Sequence, residues 1–171
     1  NISTQHTENL TKFPQQTKSH ELLTSSLRHK HKLKSEFPIA VKISPDIDEN
    51  QIYFISDILL ENEIETIIIS NTSESSRNDL KNIQKHQKGG LSGKPIEIKS
   101  NILINKFYNL LNGKIKIIGV DGVDSGQAAY DKFLAGADCI RLYTVMVFNG
   151  QNIALIINIY LIDLLLRDGV K

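Results

Sequence analysis

Apolar positions fall along this chain in blocks whose period changes from helical to strand-like and back. From His20 to Leu33 the residues Leu22, Leu23, Leu27 and Leu33 sit near helical spacing, with Ser19 placed to cap the segment. The polar residues 1–20 ahead of it show no period and predict a loop. Pro38 opens a short β-branched run, Ile39 to Ile43, which has strand length and ends at Ser44-Pro45-Asp46. Helical spacing resumes over Ile52, Ile55, Ile58 and Leu59. The pattern then repeats: a strand at 66–70, a helix at 98–111, a strand at 116–120, a helix at 125–134, a strand at 138–142 and a helix at 152–167. Ser125 is placed as a cap, Gly136 as a stop, and Asp168-Gly169 ends the last helix.

Strands alternating with helices predict βα units around a parallel sheet, and strands apolar on both sides suit a sheet covered on both faces. The count is four. A closed eight-stranded barrel takes about 250 residues. The pattern therefore predicts either a small open α/β sheet or the second half of a barrel.

One stretch breaks the rhythm. Residues 71–95 have no apolar period and end in Gly89-Gly90-Leu91-Ser92-Gly93. Loops this long inside a compact domain are uncommon and usually functional or disordered. A second glycine turn, Gly119-Val120-Asp121-Gly122, follows the third strand. Glycine lets backbone N–H groups approach an anion closely, so two such turns after successive strands could together hold a phosphate. Either alone is also common loop punctuation.

Composition narrows the picture. The chain has 171 residues, 40% hydrophobic and 23% charged, with a formal net charge of +1. That suits an ordinary soluble domain and gives no basic stripe for nucleic acid. A single cysteine, Cys139, excludes an internal disulfide and a thiolate-rich metal site. No run reaches the roughly 18 apolar residues of a spanning helix. The nearest, Ile153 to Leu166, is shorter and contains Asp163.

The order NIST, VKISPD, ISNT, GGLSGKP, IIGVDGVDSGQAAYDKFLAGAD and RLYTVMVF resembles dihydroorotate dehydrogenase, and its spacing is most similar to the quinone-dependent class. The resemblance runs over the whole chain but over only the C-terminal half of the family's (β/α)8 barrel. It implies one partial FMN-dependent dehydrogenase barrel over residues 1–171, built of about four parallel βα units. It implies oxidation of dihydroorotate to orotate in pyrimidine biosynthesis, with FMN as cofactor and a quinone reached through the N-terminal region. It implies a family peripheral on the inner (cytoplasmic or mitochondrial) membrane. The expectation for this chain is a soluble piece without that anchor, partnered by a missing barrel half or by itself.

Residue by residue, the resemblance places Asn1 at the substrate and Thr4 at the catalytic base. His6 stands where the family has a second substrate-binding Asn, and Gln5 where it has Pro. Lys42 falls at the flavin edge and Ser70 beside the flavin, with Asn71 and Thr72 at the substrate. Gly93, Gly122, Tyr143 and Thr144 match positions that hold the FMN phosphate. The types suit the roles. An amide both donates and accepts, as a carboxylate-bearing pyrimidine requires, and a lysine stabilises negative charge on a reduced flavin.

There are departures. Thr4 keeps a hydroxyl but adds a methyl group, and an alcohol is a weak base that needs a relay. His6 loses the paired amide. Arg141 stands where Gln is common, and Asp121 adds a carboxylate to a turn that is glycine in the family. Two unit charges about 4 Å apart interact by about 4 kcal/mol at an effective dielectric of roughly 20, so Asp121 aimed at the phosphate would weaken FMN binding severely.

Blander readings stand beside these. His29 and His31 sit among lysines on what reads as a solvated helix face, and His86 lies in a polar loop. Cys139 reads as a small buried strand residue, Lys42 as a strand-end lysine and Tyr143 as core packing. Ile153 to Leu166 reads as a core helix, although it lacks a polar face. Two functions follow from the resemblance and its departures: half of a dehydrogenase that needs its other half, or a non-catalytic remnant that binds phosphate or flavin weakly.

Overall fold

The computed structural model describes residues 16–75 and 77–169. Four strands, β1 (Ala40–Lys42), β2 (Thr66–Ile69), β3 (Lys116–Val120) and β4 (Cys139–Arg141), form one sheet in the order β1-β2-β3-β4. Every neighbouring pair is parallel. Among the described residues six α-helices accompany them: α1 (Gln16–Lys32), α2 (Glu49–Glu61), α3 (Glu97–Leu111), α4 (Gly126–Leu134), α5 (Thr144–Asn149) and α6 (Ile153–Arg167).

The register explains which residues make the core. Val41, Ile67 and Ile117 align across β1, β2 and β3, and all three are buried. They pack with Ile52, Ile58 and Leu59 of α2 and with Leu103, Ile104, Phe107 and Leu111 of α3. The alternate residues Lys42, Ile68, Ile118 and Cys139 align on the other face. That face is only half covered, and Cys139 is exposed. The expectation of a buried Cys139 and of two covered faces is therefore corrected. Helices cover one face of the sheet, and no described element closes the other.

Local signals set the helix ends. Asp48 caps α2 by accepting the Gln51 N–H at 2.9 Å, while the Gln51 side chain accepts the Asp48 N–H at 2.8 Å, a reciprocal capping box. The Ser125 hydroxyl accepts the Ala128 N–H at 3.2 Å and starts α4, as its position predicts. Gly136 (φ 112°) follows the end of α4, and Asp168 caps α6. α1 begins at Gln16, so Ser19 lies inside it and the polar leader is not loop throughout. α5 carries no signal in the sequence, being a short helix with no side-chain cap.

The last helix is not a core helix. Ile153 and Ile157 are buried with Val123, Ala129 and Val145, while Leu155, Ile159, Tyr160, Ile162 and Leu166 are exposed. Gly126 sets how closely α6 meets α4, since a β-carbon there would lie 2.3 Å from the Tyr160 Cβ. Among the described residues no helix is long and apolar enough to cross a membrane.

Candidate functional site

Parallel strands send all their C-terminal ends to one edge, and in α/β folds that edge gathers binding loops. Lys42 is the last residue of β1, Ser70 follows β2, Asp121 and Gly122 follow β3, and Tyr143 and Thr144 follow β4. The β2 exit is tied to the β1 exit, where the Asn71 N–H donates to the Ile43 carbonyl at 2.8 Å. Asn71 and Thr72 are half-buried there.

The long irregular segment folds back to the same edge. Ser73 and Leu91 exchange backbone hydrogen bonds at 2.8 and 2.7 Å and pin the base of the loop. Asp46, just past β1, accepts the Ser73 hydroxyl and the Glu74 N–H, both at 2.7 Å, and pairs with Lys99 of α3. Burial opposes its charge, but these partners outweigh burial and hold its carboxyl below the usual range. The Arg77 guanidinium gathers the carbonyls of Lys85, Gln87 and Gly89. This arrangement delivers Gly93 beside the β4 exit.

A cleft of about 320 Å³ opens between the loops. Gly93, Gly122, Tyr143 and Thr144 line it together with Lys94, Asp121 and Arg141. Gly93 (φ 78°) and Gly122 (φ 76°) both take left-handed backbone. A β-carbon on Gly93 would touch the Thr144 Cγ2 at 3.0 Å, and the Thr144 hydroxyl meets the Ser92 hydroxyl at 3.0 Å. Tyr143 is 72% exposed, which corrects the core-packing reading. Asn1, Thr4 and His6 lie outside the described residues.

The charges are interlocked. Asp121 takes φ 70°, and the buried Ser70 hydroxyl donates to its carboxylate at 3.1 Å. Burial pushes its carboxyl up to about 6, against the Ser70 hydrogen bond, the Lys132 and Lys42 cations and the Gly93 amide. Burial likewise lowers Lys42, reinforced by Arg141 and opposed by Asp121. Lys94 bridges Glu97 at 2.7 Å and Asp124 at 3.2 Å.

Lys132 escaped the sequence reading. It sits on α4 between Asp131 and Phe133, yet it is fully buried and passes against Gly119 of β3. Its ammonium donates to Ser100 at 3.1 Å and Asn101 at 2.8 Å, and Ser100 in turn donates to the Val120 carbonyl at 2.7 Å. Burial lowers it to about 8, against the pull of Asp121 and Glu97. The chain thus supports the β3 turn from behind with a buried cation. Helical position does carry the signal: Ala128, Ala129 and Lys132 are all buried on α4.

The chain as a whole also matches a known family. The family model for dihydroorotate dehydrogenase matches residues 1–165. The chain belongs to the dihydroorotate dehydrogenase family. A dihydroorotate dehydrogenase (quinone) from Hamiltonella defensa subsp. Acyrthosiphon pisum is 38% identical over 156 residues, covering 88% of this chain and 46% of the relative. Another from Deinococcus radiodurans is 38% identical over 134 residues, covering 78% of this chain and 36% of the relative. The crystal structure of the Eimeria tenella dihydroorotate dehydrogenase in complex with ferulenol superposes with a TM-score of 0.93 at 27% identity. It covers 99% of this chain and 50% of that one. The chain spans about half the length of the relatives it matches or less, and its four parallel strands make a half barrel.

One consequence for stability follows from Asp121. A carboxyl whose folded pKa is raised contributes stability below its unfolded pKa and loses it as pH rises through the folded value. The stability of the chain should therefore fall between roughly pH 4 and pH 6 on account of this residue. Asp121→Asn should remove that loss and unfold in urea with about 1–2 kcal/mol more stability than the native chain near neutral pH, and no more near pH 4. A stability difference that does not change with pH would contradict this.

Proposed function

We propose that this chain is the half of a quinone-dependent dihydroorotate dehydrogenase that carries the flavin phosphate site. What supports the reading most is that Lys42, Ser70, Gly122, Tyr143 and Thr144 lie at the C-terminal ends of four parallel strands, and that the long loop brings Gly93 into one cleft with Gly122, Tyr143 and Thr144. The cleft falls at the small end of ligand-pocket volumes and suits the phosphate-bearing tail of FMN. Its open glycine backbones and the Ser92 and Thr144 hydroxyls fit a phosphate; of its two carboxylates, Asp124 is paired with Lys94 and Asp121 opposes an anion. When bound, the flavin supplies the hydride acceptor.

The chain's own residues would bind and orient. Lys42 places a half-buried cation where negative charge develops, and low solvation strengthens its effect. Ser70 lies fully inside and fixes the β2 exit through its bond to Asp121. Asn71 and Thr72 lie beside it to meet dihydroorotate, with Asn1 and His6 assigned there by resemblance. Thr4 would take the proton from the substrate carbon, by resemblance alone.

The test is complementation. The chain is co-expressed with the N-terminal barrel half of the Hamiltonella defensa relative, and dihydroorotate-dependent reduction of a quinone analogue is measured. Restored turnover is expected, with a loss of about 10²-fold or more on Thr4→Ala, the scale of a lost general base. A complex that retains flavin but shows no turnover, or turnover indifferent to Thr4→Ala, would contradict the assignment.

A further inference from the structure

A phosphate cradle is built from donors that face an anion. In this chain one such donor set already has an anion of its own. The Asp121 carboxylate lines the cleft, accepts the Ser70 hydroxyl and is stabilised by the Gly93 amide. Its backbone is left-handed, at φ 70°, in the turn that follows β3. Behind it the turn is fixed by Lys132, through Ser100, to the Val120 carbonyl.

Resting on the flavin-site reading above, we propose that Asp121 is an internal plug of the cradle: its ionised carboxylate stands in for a phosphate at Gly93, and the cleft admits a phosphomonoester only when that carboxylate is protonated or removed. The ligand class is a phosphomonoester, and the device is an acid-released site.

The surrounding charges decide the direction of the effect. Lys42 from β1 and Lys132 from α4 face Asp121 as cations. Arg141 from β4 lines the same cleft. Glu97 of α3 and Asp124 of the following turn are the other nearby anions, and both are engaged by Lys94. The folded value of Asp121, about 6, lies where a phosphomonoester also takes up its second proton. An isosteric amide at the same position separates the two titrations.

The experiment titrates the whole chain by calorimetry with inorganic phosphate, FMN and riboflavin between about pH 5 and about pH 8, for the native protein, Asp121→Asn and Asp121→Gly. Glycine suits the left-handed backbone there, so Asp121→Gly serves should the amide variant fold poorly. At about pH 8, FMN and phosphate should bind Asp121→Asn about tenfold or more tighter than the native chain, the effect expected of removing one buried like charge. The gap should close toward about pH 5, and riboflavin should show none. Equal FMN and phosphate affinities for all three proteins at about pH 8 would overturn the plug. Phosphate binding to Asp121→Asn without either flavin would keep the plug and overturn the flavin reading. Flavin binding indifferent to Asp121 would do the reverse, and no binding by any variant would overturn both.

Discussion

Purified alone, the 171-residue chain is expected to oxidise dihydroorotate no faster than free flavin in buffer. The effect is large because catalysis of this kind rests on orientation and a dry, pre-set environment. Effective molarities of about 10⁵ M or more come from holding reactants in place, and excluding water strengthens every charge that acts on them. Here Lys42, Ile68, Ile118 and Cys139 form a sheet face that is only half covered, and Cys139 is exposed at its edge. Tyr143 stands 72% open at the cleft. A flavin on this edge would be held from one side. The assay is orotate formation with added FMN and a quinone analogue, read together with mass in solution. Turnover by a monomer would contradict the expectation. Turnover by a dimer would mean that two half barrels close on each other, burying the exposed apolar residues of α6.

The second large effect is expected on stability at Gly122. A β-carbon there would lie 2.3 Å from the Glu97 Cβ and 2.6 Å from the Glu97 Cα. The Cα belongs to the first turn of α3 and cannot swing aside like the end of a flexible side chain. The backbone is also left-handed at φ 76°. Overpacking of about 1–3 kcal/mol adds to about 1 kcal/mol or more of backbone strain, so Gly122→Ala should lose about 3 kcal/mol. Gly89→Ala is the control: φ is 121°, but nothing lies within 4 Å of the added carbon. It should lose about 1 kcal/mol from strain alone. Urea unfolding of the two variants separates close approach from backbone conformation. Equal losses would mean that the packing of Glu97 against the turn contributes nothing.

Much of the frame was legible because period and punctuation agree. TIII and KIIGV are short β-branched runs between helical blocks, and both form strands within a residue of the expected ends. Ser125 caps α4 because its position before the periodic block leaves its side chain free to take a backbone N–H. What escaped depends on partners far along the chain. Lys132 looks like a surface residue until α4 is laid on β3, where it passes Gly119 and reaches Ser100. Cys139 looks like a core residue, because a sequence does not show which sheet face the helices cover. α5 is a six-residue helix with neither a cap nor room for a period. At the site, the glycine turns and Lys42 could be placed from their positions after strands. The charge of Asp121 was visible, but not that it turns to Ser70.

The most direct measurement maps the flavin onto the chain. Amide shifts are followed by ¹H–¹⁵N NMR as FMN is added at about pH 5, where the Asp121 carboxylate is largely protonated. Shifts concentrated at Lys42, Ser70, Gly93, Gly122 and Thr144 are expected, with Lys114, Lys116 and Asp138 at the opposite strand ends unchanged. Shifts centred on those opposite ends, or none at saturating FMN, would contradict a flavin site on this edge.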